Sequence, residues 1–165
     1  MRRIMTGLVL MVVVAFVCGT HQAAAAADPV DERGPVETVE LFWEKIREGD
    51  TDGAIALHTF SKQTQNHVER LKAEYTTWAG LFKKEDLSVT IGRSQTHGSA
   101  AVVMVTCDEG QRNAKPDPAY LVRQQGTWKM LMPGIPGDAS AHGLDPETVA
   151  AMKRLKTWAT RRRQN

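Results

Sequence analysis

Cysteine is almost absent: Cys18 and Cys107 are the only two in 165 residues. Cys18 lies in an N-terminal stretch that reads as a removable signal. Its loss would leave Cys107 as a lone thiol and exclude an internal disulfide, even in an oxidising compartment. Cys107 closes an apolar run, so a small buried strand residue is expected there rather than a reactive one. The apolar run from Gly7 to Val17 falls well short of the roughly 20 residues that a spanning helix needs. Charge of one sign is not in excess. The chain has 21 Lys and Arg against 19 Asp and Glu; taking away Arg2 and Arg3 with the signal leaves 19 against 19. No basic patch interleaved with aromatics stands in the body of the chain, and nucleic acid is not an expected partner. His58, His67, His97 and His142 include no pair at one-turn spacing, and there is no Cys/His cluster. No metal or other cofactor is therefore expected. A phosphate-cradling glycine loop, a Gly-x-Ser-x-Gly and a defensible Ser/His/Asp set are also missing.

What is present begins with Met-Arg-Arg, an apolar core and an alanine tract, the three parts of a secretory signal. Cleavage is expected between Ala25 and Ala27, giving an exported protein, periplasmic or extracellular. Twin-arginine export fits poorly, because Ile4, Met5 and Thr6 follow the arginine pair. Lipid attachment at Cys18 is the lesser alternative, because Val17 stands where a small residue belongs. The chain then divides into a signal over 1–27, a flexible lead-in over 28–34, an α+β domain over 35–138, and a linker with a basic amphipathic helix over 139–165.

Pro35 opens the first helix, where its missing N–H costs nothing. Val36, Val39, Phe42, Trp43 and Ile46 share one face, and Gly49 stops it. Asp50 or Thr51 caps a second, short helix through Ala54, Ile55 and Leu57 toward Phe60. Val68, Leu71, Tyr75 and Trp78 predict a third from about Thr64 to Trp78, ended by Gly80. The rhythm then changes to period two at Leu87, Val89 and Ile91. His97-Gly98 makes a turn, and Ala100 to Cys107 reads as a central strand covered on both faces. Tyr120 to Arg123 and Thr127 to Met132 form a hairpin around Gln125-Gly126, and Pro133, Gly134, Pro136 and Gly137 stop the sheet. Asp145 caps a final helix, with Pro146 in its first turn and Val149, Met152, Leu155 and Trp158 on its apolar side.

This order of elements, with VETVELFWEKIREGDTDGAIAL over 36–57 and AYLVRQQGTWKMLM over 119–132, resembles the nuclear transport factor 2-like superfamily. The resemblance, which covers roughly residues 35–134, implies three N-terminal helices packed on a strongly curved, mainly antiparallel sheet of about four strands; the C-terminal helix from Asp145 lies outside that family's usual core and completes the expected α+β fold. The resemblance also implies a cone with a pocket at the wide end. Members include ketosteroid isomerases, polyketide cyclases and dehydratases, and also non-catalytic binding domains, so fold does not decide function.

No position matches the isomerase pattern of a carboxylate base facing a tyrosine and a protonated acid. Asp108 and Glu109 are strand neighbours and point to opposite faces. The weak catalytic candidates are His58, Tyr75 and Tyr120. The candidate lining of an apolar pocket is Trp43, Tyr75, Trp78, Tyr120 and Trp128, with ordinary core packing as the alternative. The expected function is a non-catalytic envelope domain binding a small apolar ligand or a protein partner; an isomerase or cyclase using the cone is the alternative. A third reading is membrane-surface contact through Lys153, Arg154, Lys156, Arg161, Arg162 and Arg163. A homodimer is compatible with all three.

Overall fold

The computed structural model describes residues 32–60, 67–110, 114–132 and 143–163. The expected signal, the start of the third helix before 67, the Pro/Gly stop after Met132 and His142 lie outside them.

Helix α1 runs Pro35–Glu48 and buries Thr38, Val39, Phe42, Trp43 and Ile46. It stops because Gly49 takes a left-handed φ of 81°, letting its N–H reach Ile46 O while Asp50 N–H returns to Lys45 O. The Asp50 carboxylate accepts from Gly53 N–H at 2.8 Å and caps α2, Thr51–Ala56. The chain then extends instead of continuing the helix. His58–Thr59 form a two-residue strand, β1, held by Met130 N–H bonding Leu57 O and by Lys129 Nζ donating to Ala56 O, both at 2.8 Å.

Helix α3 runs Val68–Lys83, past Gly80. A glycine inside a helix costs about 1 kcal/mol relative to alanine, which the burial of Ala79 and the packing of Leu81 and Phe82 on the core offset. The helix ends where Glu85 adopts a φ of 62°, with Glu85 and Asp86 N–H returning to Phe82 and Leu81 carbonyls.

Four longer strands follow: β2 Ser88–His97, β3 Ala100–Asp108, β4 Asp117–Gln124 and β5 Thr127–Leu131. The sheet order is β1-β5-β4-β3-β2, antiparallel except for the parallel β1–β5 pair. The sheet thus has five strands rather than four, and it is open and uncurled where strong curvature was expected. The β4–β5 turn uses the left-handed φ values of Gln125 (51°) and Gly126 (84°) that a two-residue hairpin requires.

Both faces of this sheet are covered. Ala101, Val103, Val105, Leu121, Trp128 and Met130 face α1–α3. On the other face, Ala100, Val102, Met104, Val122 and Leu131 pack against Met152, Leu155 and Ala159 of α4, Pro146–Arg163. The C-terminal helix is therefore a third layer of the core. Its buried stripe is Thr148, Met152, Leu155 and Ala159, so Val149 and Trp158 sit on the flank rather than at the centre. A sheet with helices on both faces buries its sides by layering and needs no curl around one core. Cys107, expected to be buried, is exposed, because β3 outruns the helices at that end.

The N-terminus of α4 is tied to the β2–β3 turn. Asp145 accepts from Thr148 N–H at 2.8 Å and from Thr148 Oγ1 at 2.6 Å. With the Thr148 hydrogen thus committed, Ser99 Oγ donates to Thr148 Oγ1. Asp145→Ala should lower the melting temperature by about 3 °C, while Asp145→Asn, which still caps, should lose little. Equal melting curves for Asp145→Ala and wild type would show that the cap does not hold the helix.

Candidate functional site

The strongest concentration of chemistry among the described residues is a histidine–tyrosine pair inside an aromatic shell. β1 supplies His58 and α3 supplies Tyr75, with 6% and 0% of their surface exposed. Tyr75 Oη lies 3.0 Å from His58 Nε2, and His58 Nδ1 lies 3.1 Å from Ala54 O. A carbonyl can only accept, so Nδ1 carries the imidazole proton. Nε2 then offers its lone pair, and Tyr75 O–H donates to it. Every polar atom of the two rings is satisfied with both groups neutral.

Burial makes that neutrality firm. Desolvation, followed by the positive charge of Lys129, brings the His58 pKa down to about 4 against an upward pull from the Ala54 hydrogen bond. Desolvation likewise pushes the Tyr75 phenol far above its ordinary value. No carboxylate is hydrogen-bonded to either ring among the described residues.

The shell comes mostly from helical spacing. Phe42 of α1 stands edge-on to His58 at 5.3 Å and to Tyr75 at 5.2 Å. Phe60 stacks on His58 at 5.9 Å, and Trp78 stacks on Tyr75 at 5.3 Å. Trp43 lies 5.3 Å from Trp78 and 6.1 Å from Phe82, and the Arg47 guanidinium sits 5.2 Å over the Phe82 ring. Trp128 and Met130 of β5 belong to the same core.

Of the sequence candidates, His58, Tyr75, Trp43, Trp78 and Trp128 are therefore brought into one cluster. Tyr120 is not: it pairs with Val102 on β3 and packs half-buried against the α4 side of the sheet. Burial there raises its pKa. It can share no cavity with His58, and it leaves both the catalytic and the pocket sets. His67 precedes α3, and His97 Nε2 accepts from Gln95 Nε2 at 3.1 Å at the end of β2. Asp108 ends β3 and Glu109 is exposed beyond it. No group of three or more His, Cys, Asp or Glu fit to hold a metal occurs among the described residues. The exposed Cys107 thiol is raised to about 11 by desolvation and by Asp117 and Glu109, so it is a poor nucleophile at neutral pH.

Sequence reasoning missed Phe42, Phe60 and Phe82 as shell members. Phe82 was legible: it falls seven residues after Tyr75, two helical turns along the same face, once Gly80 is not taken as a stop.

No family model matches the sequence, and no curated protein matches it. Among solved structures the chain is similar to a Campylobacter jejuni protein described as a nuclear transport factor 2-like transpeptidase. The identity is 13%, over 61% of this chain and 99% of that one, with a TM-score of 0.45.

Proposed function

We propose that this chain is an exported, non-catalytic domain that binds a small apolar molecule on the aromatic wall formed by α1 and α3. The observation that carries this reading is the state of that wall. Trp78, Leu81 and Phe82 are only half-buried, although all three pack on the core and Trp78 and Phe82 do so against Trp43. Apolar side chains left half-open over a rigid aromatic layer offer stacking area at little ordering cost. Arg47 above Phe82 suits a ligand with a polar or anionic edge.

The isomerase or cyclase alternative needs a base and a donor that a substrate can touch. His58 and Tyr75 are buried and spend their polar atoms on each other and on Ala54, which supports the binding reading over the enzymatic one.

The test is a titration of the chain from Asp28 onward with anilinonaphthalene sulfonate, read by probe emission and by the melting temperature of the folded protein. Saturable binding that raises the melting temperature is expected, and Trp78→Ala or Phe82→Ala should weaken it about 10-fold. Absence of binding by the folded domain, or unchanged affinity in both variants, would overturn the proposal.

A further inference from the structure

Helix α4 has used its apolar stripe. Thr148, Met152, Leu155 and Ala159 are buried, so nothing remains on that side to insert into a bilayer. Lys153, Arg154 and Arg161 lie on its outward side, with Lys156, Arg162 and Arg163 toward its flanks and end, and all six are exposed. At 100° per residue, Lys153, Thr157 and Arg161 fall in a line opposite the buried stripe, with Arg154 beside them. Arg163 meets Asp117 at 2.7 Å, whereas Lys153, Arg154 and Arg161 have no acidic partner among the described residues. Glu147 is the one acid of the helix and sits in its first turn, away from these cations. Trp158 lies half-buried on the flank, with the Arg162 guanidinium 5.8 Å over its ring.

We propose that the outward face of α4 docks flat on an anionic phospholipid surface. A chain that is charge-balanced after loss of Arg2 and Arg3 gathers six of its cations on one helix, so the remainder is acidic. Such an asymmetric charge turns one face, and only that face, toward a polyanion. Export, as read from the N-terminus, makes the membrane the extended anionic surface that the domain meets. The Trp158–Arg162 flank suits the headgroup boundary, where amphipathic rings gather. Because the apolar stripe is occupied, contact is electrostatic and reversible rather than inserted.

Vesicle sedimentation of the chain from Asp28 onward tests this, with phosphatidylcholine vesicles that contain or lack phosphatidylglycerol. Binding is expected only with phosphatidylglycerol, and it should be lost at about 0.5 M salt. Lys153→Glu/Arg154→Glu/Arg161→Glu should cut the partition about 10-fold or more, and Lys153→Gln/Arg161→Gln should cut it less. Unchanged partition in both variants, with melting curves like wild type, would overturn the proposal. Tighter binding to duplex DNA than to phosphatidylglycerol at equal phosphate would overturn it as well. A failure of export, seen as an uncleaved signal in cells, leaves the vesicle result standing and is thereby told apart.

Discussion

Acidification from pH 7 to pH 4 should remove about 3 kcal/mol of folding stability, most of it above pH 5, where the carboxylates are still largely ionised. His58 binds a proton near 6.5 in the unfolded chain but only near 4 in the folded one. Between those values the unfolded state holds more protons, so stability falls as pH falls. Above 6.5 neither state is protonated and the penalty is absent; below 4 it is complete. A shift of this size at 1.36 kcal/mol per pKa unit gives the figure of about 3 kcal/mol. Physically, the incoming proton goes to Nε2, which then donates to Tyr75 Oη, so the Tyr75 hydrogen must turn away and a charge without a counterion sits beside Phe42 and Phe60. Urea unfolding followed by tryptophan emission at a series of pH values measures the slope. His58→Gln cannot titrate and should flatten the profile between 6.5 and 4. A wild-type profile already flat over that window would contradict the buried state assigned to His58.

Leu155→Ala should cost about 3 kcal/mol. Leu155 is fully buried at the centre of the α4 face, among Ala100, Val102, Val122 and Met152. Alanines at 100 and 159 leave little side chain to move into the vacated space, so the cavity should persist. Thr157→Ala, on the exposed side of the same helix, should change stability by less than about 0.5 kcal/mol. Equilibrium urea midpoints for the two variants decide the matter. Equal and small effects would mean that the helix is an appendage and not a layer of the core.

Much of the fold was legible because its signals are local. Pro35 and Gly49 bracket α1, Asp50 caps α2, and Gln125-Gly126 fixes the last hairpin. The misses have a shared cause, which is that tertiary pairing decided them. Strand β1 has two residues, too few to display a period, and exists because β5 offers it partners. The docking of α4 was hidden because its buried stripe includes Thr148 and Ala159, which no hydrophobic count selects. His58 and Tyr75 lie 17 residues apart and meet only once α3 has packed on α1. The exclusion of Tyr120 was within reach. Leu121 faces Met130 across the hairpin, on the same side of the sheet as Trp128, so its neighbour Tyr120 must face away.

The buried His58–Tyr75 pair is a neutral structural pin beneath the aromatic wall of α1 and α3. Long-range proton–nitrogen NMR correlations of the imidazole of His58 test it directly. The Nδ1–H tautomer is expected at neutral pH, with protonation only near pH 4. An Nε2–H tautomer, or titration at or above 6.5, would mean that His58 is available to exchange protons, and the enzymatic reading would replace this one.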